Sequence, residues 1–292
     1  MIQSIFFIGM SKNCFPNLKK NIDFLLEFKK ISKFNIDICV VDSDSTDGTK
    51  KYCYNLVKTN TIDSIVEVDN LENKFSSRIE RLSISRNKGL DYIKENQKKP
   101  SLYIPMDMDL NLFSLLDCVR FEKIIEDFID SEADGLFPYS TPYYYDIFAL
   151  RQQDWVPGNN LLTSNNLKKK FRVMSFIFNY FLIFKKQRNV DTFSKNYIEV
   201  ESAFGGMGIY KIQSNTLVNS RYDVSQTEVN FYSEHIFFNA SFNNLFISTK
   251  WNIESPIEYT FFNSFSYIEK IIYILKTLKN DIKHLNKRIN NK

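Results

Sequence analysis

Two carboxylates separated by one residue form the clearest chemical motif of the sequence. Asp107 and Asp109 follow the short apolar run Leu102–Met106, which predicts a buried strand. Alternate side chains of an extended chain point the same way, so both carboxylates can face one point. Like charges at that distance repel unless a cation lies between them. The pattern predicts a divalent-metal site completed by a nucleotide diphosphate; an acidic turn with a cap at Asn111 is the alternative.

A second acidic cluster follows another apolar run, Ile36–Val41. The eight residues from position 42 read Asp-Ser-Asp-Ser-Thr-Asp-Gly-Thr. Asp42 stands at the end of the predicted strand, where its carboxylate could accept hydrogen bonds from a nucleobase or a ribose. Ser45 and Asp47 are good N-cap residues, so capping of the next helix is the alternative. Three acids within six residues exceed the needs of one cap, which favours a ligand role for Asp42.

One arginine shares the apolar face of a predicted helix, Arg78–Lys94. Arg86 falls on the same side as Ile79 and Leu90. In one interpretation its guanidinium enters a ligand cleft, where it binds phosphate or base and balances the acids. In the other, the aliphatic stem covers the core and the charged head reaches water. The residues alone leave both interpretations open.

The last candidates lie late in the chain, in Glu201–Gly206 and in Ser233-Glu234-His235. His235 is one of only two histidines. A single histidine is more often a structural residue than a ligand, but the adjacent carboxylate of Glu234 favours a site.

The elements that must position these residues alternate between strand and helix. Strands are predicted at Ile2–Ile8, Ile36–Val41, Ile65–Val68 and Leu102–Met106, and helices at Leu18–Phe28, Thr49–Val57, Arg78–Lys94 and Phe113–Ile129. This alternation predicts an α/β fold with a mostly parallel sheet between two layers of helices. Such sheets bind ligands at the carboxyl ends of their strands, where the acidic motifs stand.

The second half of the chain is aromatic and less regular. Tyr139–Trp155 is dense in turn formers, Asn159–Lys170 is predicted as a loop, and Phe204–Ile212 as a strand. A helical appendage is predicted at Tyr267–Arg288, because apolar residues recur there with a 3.6-residue period. They are Ile268, Ile271, Ile272, Leu275, Leu278, Ile282 and Leu285.

Composition restricts the class of protein. The 292 residues carry a net charge of +4, which is too mild to indicate a nucleic-acid partner, and 15% aromatic residues exclude a disordered chain. Four cysteines without a CxxC pair predict free thiols in a reducing compartment. The N-terminus lacks a basic region, and the apolar block Phe171–Phe184 is too short to span a bilayer. We therefore expect a cytoplasmic protein, with peripheral contact to the inner membrane surface as a further expectation.

Taken in order, the motifs resemble those of nucleotide-sugar glycosyltransferases of the GT-A fold. Val41–Thr49 is similar to the nucleotide-binding segment after the second strand. Ser85–Gly89, with Arg86-Asn87, is similar to the donor-side helix segment. Asp107-Met108-Asp109 is similar to the metal-binding DxD motif of that fold.

A closer resemblance, over roughly residues 1–245, is to the fungal capsule-associated α-mannosyltransferases and related polysaccharide enzymes. It rests on Arg78–Leu82 with Arg86-Asn87, Tyr144–Arg151, Ala203–Gly206 with Ile209-Tyr210, and Ser233–His235. Two departures matter. Ser43-Asp44 stands where many related transferases carry Asp-Gly, which leaves the base contact open. Ser233 stands where the capsule family often has cysteine, which leaves the sugar open.

The resemblance implies a role for each candidate residue. In chain order they are Asp42 and Asp44 for the nucleotide, Arg86 for the nucleotide, Asp107 for ribose or metal, Asp109 for the metal, Asp146 and Arg151 for the donor or acceptor sugar, and His235 for metal or diphosphate. The implied activity is a metal-dependent transfer, with Mn²⁺ or Mg²⁺, from a UDP- or GDP-sugar to a glycan or lipid-linked glycan. An inverting enzyme also needs a carboxylate base, for which Glu234 and Glu201 are candidates; a retaining enzyme does not.

Three other functions compete with this one. A haloacid-dehalogenase-type phosphatase also carries Asp-x-Asp after a strand, but expects Thr or Val where Asn111 stands. A sugar nucleotidyltransferase expects a Gly-rich basic loop after the first strand, and this chain has one glycine there. A non-catalytic sugar-nucleotide-binding module would bind the donor without turnover.

The predicted organisation is a GT-A-like domain over 1–265 and a basic amphipathic helix over 266–292. Within the domain, 1–110 forms the nucleotide-binding half and 111–265 the acceptor half. The terminal helix either packs on the domain with solvated lysines or docks on an anionic membrane surface, in the interface plane.

Overall fold

The structure is a computed structural model that describes residues 3–170, 175–189, 194–212, 220–223 and 233–290, with side chains described up to 283 in the last segment. The strands are β1 (Ser4–Ser11), β2 (Asn35–Asp42), β3 (Ser64–Glu67), β4 (Leu102–Asp107), β5 (Gly135–Thr141), β6 (Tyr197–Val200), β7 (Ile209–Lys211) and β8 (Leu245–Glu254). The helices are α1 (Phe15–Ile31), α2 (Thr49–Lys58), α3 (Leu71–Lys74), α4 (Arg78–Glu95), α5 (Cys118–Asp130), α6 (Asn160–Lys170), α7 (Ser175–Leu182), α8 (Glu234–Asn239), α9 (Ile257–Ser264) and α10 (Tyr267–Asn290), with a 3-10 turn at Phe184–Lys186.

These strands form one mixed sheet in the order β3-β2-β1-β4-β7-β5-β8-β6. Strands β1 to β4 run parallel to one another, and β5 runs parallel to β8. Strand β7 lies antiparallel between β4 and β5, and β6 lies antiparallel on β8. The predicted α/β class, with a mostly parallel sheet and a helical C-terminal region, is confirmed.

The strands and helices predicted for the first half all form, and one of them begins later than predicted; α3 and β5 were not predicted. Helix α5 begins at Cys118 rather than at Phe113, because Asp117 caps it there and accepts a hydrogen bond from the Arg120 N–H at 2.8 Å. Phe113 still packs into the core, where it stacks on Phe24 with 3.8 Å between ring centroids. Buried apolar residues that precede a helix can therefore continue its apolar pattern in the sequence, so the predicted helix begins too early.

The second half departs further from the prediction. The predicted loop at Asn159–Lys170 is wrong, since Asn160–Lys170 is helical. Polar tertiary contacts hold this helix: Asn160 donates to the Leu182 carbonyl at 2.8 Å, and Ser164 donates to Asn179 at 3.1 Å. Such contacts leave no apolar period in the sequence.

The predicted strand Phe204–Ile212 is also shorter than expected. It shrinks to Ile209–Lys211, because the preceding glycines adopt left-handed backbone angles that strand geometry excludes. Their φ values are +67° at Gly205 and +90° at Gly206.

Alternating side chains of β1 divide the interior into two cores. Phe7 belongs to the layer that contains Phe28 and Phe121, whereas Phe6 belongs to the layer that contains Tyr103. All four cysteines are buried and free, which confirms the predicted free thiols. Both faces of the sheet are thus covered, and the ends of its strands are left for a site.

The strand register brings the two acidic motifs to one edge. Ser11 pairs with Asp42 across β1 and β2, and Met10 pairs with Asp107 across β1 and β4. The carboxyl ends of three parallel strands therefore meet, although Asp42 and Asp107 are far apart in the sequence.

Helices α7, α9 and α10 assemble around a small aromatic core of their own, and α6 packs on α7. Phe176, Phe184 and Phe262 are the buried members of this core, and Tyr273 and Ile274 of α10 pack against them. Most of the predicted apolar stripe of α10 faces outward instead. Its exposed members are Ile268, Ile271, Ile272, Leu275 and Ile282, and Leu285 lies outside the described side chains. No described helix is both long and apolar enough to cross a membrane.

Helix α4 lies close against the sheet at Gly89. A Cβ atom added there would stand 2.9 Å from Ile8 Cγ2 and 3.3 Å from Val41 Cγ2. Both partners are buried strand residues, so neither can move aside freely. Glycine at this position sets how near the Arg86 side of the helix lies to the strand ends.

We expect Gly89→Leu to lower the free energy of unfolding by about 1–3 kcal/mol, because overpacking at the sheet exceeds the gain in helix propensity. The measurement is urea unfolding followed by circular dichroism. Lys88→Leu is the control, since it adds the same side chain at an exposed neighbouring position. Equal stabilities of the two variants would contradict this packing.

Candidate active site

Two cavities open at the carboxyl ends of the strands and share one wall. The first has a volume of about 310 Å³ and the second about 410 Å³. Four residues line both cavities: Arg78, Leu82, Asp107 and Asp109. The predicted Asp-x-Asp motif therefore stands at the junction of two adjoining spaces.

Asp42 lies behind the lining of the first cavity. Its side chain is completely buried, and it accepts hydrogen bonds from the Ser11 hydroxyl at 3.0 Å and from the Ser45 N–H at 3.2 Å. The next two residues, Ser43 and Asp44, do line the cavity. In this conformation Asp42 orders the loop that presents them.

Asp44 holds the opposite rim of the first cavity in place. Its backbone is left-handed, with φ of +59°, and its carboxylate accepts hydrogen bonds from the N–H groups of Asn70 at 2.7 Å and Leu71 at 3.0 Å. Burial opposes ionisation, but these N–H donors and the charge of Lys12 lower the pKa of Asp44 below its usual value. The ionised carboxylate thus joins two loops at the first cavity.

Arg86 is buried between two carboxylates from other segments. Its Nη2 donates to Asp107 at 2.6 Å and its Nε donates to Glu234 at 2.9 Å. Only 2% of its side chain is exposed, so the interpretation in which its head reaches water is wrong. Burial alone would lower the pKa of Arg86, but Asp107 and Glu234 raise it, and the guanidinium stays charged.

Phe204 forms a flat support beneath this charge. The guanidinium carbon of Arg86 lies 4.8 Å from the Phe204 ring centroid, and the His235 ring stacks on Phe204 at 3.6 Å. His235 is buried, and neither of its ring nitrogens has a hydrogen-bond partner among the described residues. Burial and the charge of Arg86 hold the pKa of His235 well below its ordinary value, so the ring is neutral.

The two aspartates of the motif differ in their environment. Asp107 is bound to Arg86, whereas Asp109 stands at an exposed position at the mouth of both cavities. Desolvation within the cleft and the nearby Asp107 charge raise the pKa of Asp109 to about 6. Repulsion between two carboxylates is relieved by a bound cation, which stabilises their ionised form, so this pair favours a cation.

A divalent ion fits these donors only with help from substrate. In the part of the chain that the structure describes, no group of three or more His, Cys, Asp or Glu side chains could hold a metal by itself. Mg²⁺ is usually bound by one or two carboxylates, with phosphate oxygens and water completing its shell. The oxygen donors of Asp109 and Asp107 match that arrangement.

Asp146 organises the segment before β7, which lies against the end of β4. Its carboxylate accepts hydrogen bonds from the Gly205 N–H at 2.9 Å and the Ala149 N–H at 3.2 Å. Gly206 in turn accepts a hydrogen bond from the Asp107 N–H at 2.8 Å. Asp146 lines the second cavity, and burial raises its pKa to about 6.

Two predicted site residues do not reach the cavities. Arg151 donates to the carbonyls of Phe148 and Leu150, and its side chain lines neither cavity. Glu201 is exposed and also lines neither. The other predicted carboxylate, Glu234, lines the second cavity.

No site role was predicted for Arg78 from the sequence. It begins α4, lines both cavities and is exposed, and no ion pair is formed with any described carboxylate. A cation at a helix N-terminus is disfavoured by the helix dipole. That conflict between residue type and position is the signal that could have identified it.

Solved structures of low sequence identity are similar to this chain. TarS 1-349 from S. aureus is 11% identical with a TM-score of 0.48, and the match covers 96% of this chain and 65% of that one. Mannosyl-3-phosphoglycerate synthase from Rubrobacter xylanophilus is 10% identical with a TM-score of 0.42, covering 99% and 76% of the two chains. This chain thus spans less than two thirds of the TarS structure. A search of the curated proteins found no match.

Residues 8–189, more than half of the 292-residue chain, match the family described as Glycosyl transferase family 2. The matched range contains both acidic motifs, Arg78 and Arg86. The chain therefore belongs to glycosyl transferase family 2, and its α/β sheet has the GT-A-like fold that the sequence predicts.

Proposed function

We propose that the protein is a metal-dependent glycosyltransferase that moves a sugar from a UDP- or GDP-sugar to a glycan acceptor, in the synthesis of a surface polysaccharide or a glycoprotein glycan. The observation that carries this proposal is the position of Asp107 and Asp109 where two cavities meet. One cavity would hold the nucleotide and the other the acceptor, with the transferred sugar between them. A cytoplasmic location belongs to the same proposal.

The first cavity suits the nucleotide because polar groups surround it. Ser11, Ser43 and Asp44 offer hydrogen-bonding groups for base and ribose, and Lys12 contributes a positive charge next to Glu72. The N-terminal turn of α4 opens at the junction, where its N–H groups favour phosphate.

The diphosphate would lie between Arg78 and the two aspartates. A divalent ion held by Asp109 and Asp107 would act as a Lewis acid and stabilise the charge of the leaving group. Arg78 adds a fixed positive charge on the other side, the electrostatic contribution that is usually largest in catalysis. His235 is neutral, and its ring nitrogens lack a hydrogen-bond partner among the described residues, so it could accept a hydrogen bond or complete the metal shell from the second cavity.

Arg86 acts as a positioning residue in this mechanism. Its charge is already balanced by Asp107 and Glu234, and only its Nη1 lacks a hydrogen-bond partner among the described residues. It holds one aspartate of the metal motif and one carboxylate of the acceptor cavity at a constant separation. This differs from the direct nucleotide contact that the family resemblance implies.

Glu234 is the carboxylate best placed to accept the proton of the acceptor hydroxyl. Its Oε1 is bound to Arg86, but its Oε2 has no hydrogen bond to any described residue. Both oxygens of Asp146 accept backbone N–H groups, which supports a structural role for that residue. An inverting transfer would therefore use Glu234.

The other candidate functions are less well supported. A phosphatase nucleophile must be free to attack phosphorus, whereas Asp107 is bound to a guanidinium at 2.6 Å. Membership of glycosyl transferase family 2 also disfavours a phosphatase and a nucleotidyltransferase. A non-catalytic binding module would bind UDP- or GDP-sugars without releasing the nucleoside diphosphate. The narrower resemblance to the capsule α-mannosyltransferases stays a prediction, and a screen of donor sugars tests it.

We expect Asp109→Asn to abolish metal-dependent transfer and metal-dependent binding of UDP or GDP. The free energy of unfolding should change by less than about 0.5 kcal/mol, since Asp109 is exposed and the change removes its repulsion with the Asp107 carboxylate. Calorimetric titration of UDP or GDP with and without Mn²⁺ measures the metal-dependent binding, and release of the nucleoside diphosphate measures the transfer. Asp130→Asn, an equivalent change at an exposed position, is the control. Full activity of Asp109→Asn in EDTA would end the metal proposal.

We expect Arg86→Leu to lower the free energy of unfolding by about 3–5 kcal/mol, because it leaves the buried Glu234 carboxylate without its cation. Chemical denaturation measures this change. Lys51→Leu, at an exposed cationic residue on α2, is the control and should change stability by less than about 0.5 kcal/mol. An Arg86→Leu protein of unchanged stability would show that these ion pairs do not hold the site together.

Glu234→Gln keeps a hydrogen-bond acceptor for Arg86 but removes the base. We expect kcat to fall by about 10²–10⁴-fold, the usual range for a general base, while donor affinity stays within about twofold. Steady-state kinetics with release of the nucleoside diphosphate gives both values. Glu201→Gln is the matched control and should retain kcat. The opposite pattern would assign the base to Glu201.

A further inference from the structure

Exposed apolar side chains concentrate in one region of the molecule. We define the helical module as residues 160–186 and 257–292, which contain α6, α7, α9 and α10. Of the sixteen large apolar side chains that are exposed among the described residues, eleven belong to this module. They are Ile177, Tyr180, Phe181, Ile257, Tyr259, Tyr267, Ile268, Ile271, Ile272, Leu275 and Ile282. A concentration of this kind indicates an interaction surface.

Helix α10 supplies the longest part of this surface. Its inner side packs on the aromatic core through Tyr273 and Ile274. Its outer side exposes Ile268 by 69%, Leu275 by 60% and Ile282 by 48%. With 3.6 residues per turn, these three residues fall on one stripe that faces away from the protein.

The charge of the module differs in sign from that of the rest of the chain. Its two segments contain 13 basic and 3 acidic residues, a net charge of +10, whereas the remainder of the chain carries −6. Lys276, Lys279 and Lys283 are exposed on the same side of α10 as the apolar stripe. Their long aliphatic stems can lie along apolar surface while their ammonium groups reach outward.

We propose that the helical module docks on an anionic lipid bilayer, with α10 in the plane of the interface. Apolar side chains flanked by lysines are the combination that binds such surfaces. A second copy of this chain is the less suitable occupant, because two faces of the same strong positive charge would repel each other. The surface is composite, since α7 and α9 extend it beyond the terminal helix.

Docking would bring the second cavity close to the membrane. That cavity, which Glu234 also lines, contains four residues that belong to the module or adjoin it: Leu161, Ile183, Gln187 and Tyr259. Tyr259 is also 46% exposed, so it joins the cavity wall to the outer surface. This step rests on the proposed glycosyl transfer. If the protein transfers a sugar, its acceptor would be a glycan carried by a membrane lipid.

The test is co-sedimentation of the full chain with vesicles of phosphatidylcholine containing 30% phosphatidylglycerol, compared with pure phosphatidylcholine vesicles. We expect binding to the anionic vesicles, loss of that binding at 1 M salt, and little binding to the neutral vesicles. The double variant Ile272→Asp with Leu275→Asp should lower the partition coefficient by more than about tenfold. Lys276→Glu with Lys279→Glu should lower it by a similar factor.

Matched controls separate this surface from general effects. Ile31→Asp with Val119→Asp changes two exposed apolar residues outside the module, and Lys30→Glu with Lys58→Glu makes the same charge change elsewhere. Both controls should bind as the unchanged chain does. Circular dichroism checks that every variant is folded.

Three outcomes would overturn the proposal. They are no binding to anionic vesicles, equal loss of binding in the controls, or a dimer in sedimentation velocity without vesicles that the module variants dissociate. The last result would assign the surface to a second copy of the chain. Donor binding is measured on the same samples: vesicle binding without donor binding would reject the proposed function and keep the docking surface.

Discussion

The guanidinium of Arg86 lies between carboxylates that come from two other segments of the chain. It donates to Asp107 at the end of β4 and to Glu234 at the start of α8, and Phe204 supports it from below. Arg86 and Glu234 are buried, and a buried charge is costly unless it is paired, so either of these two would be strongly destabilising without its partner. The three ionic groups therefore fix how the helix, the strand and the late segment meet at the cleft.

Because Arg86 balances two of the acids, the remaining charges of the cleft are left for ligands. Asp109 stands beside Asp107 with a pKa raised to about 6, and Arg78 begins α4 at the same junction without an ion pair to the described carboxylates. One group favours a cation and the other an anion. A metal–diphosphate pair satisfies both, which is the reason for placing the leaving group between them.

Charges of opposite sign are also separated on the scale of the whole molecule. The sheet and its helices build the cleft and carry a net negative charge, while the helical module carries the positive charge and most of the exposed apolar side chains. The second cavity lies where the two regions meet, and residues from both line it. A protein of this design would accept a soluble donor on one side and a membrane-bound acceptor on the other.

The sequence by itself determined the first half of the fold and the acidic motifs, because short apolar runs and 3.6-residue periods report burial directly. It also indicated that Asp107, Asp109 and Glu234 belong to a site. Only the tertiary structure decided the state of Arg86, since a buried ion pair and a snorkelling side chain share the same helical position. It likewise decided that Asp42 lies behind the cavity, that Glu201 and Arg151 lie outside it, and that Asn160–Lys170 is helical. Those outcomes depend on contacts between residues far apart in the chain, which leave no periodic signal in the sequence.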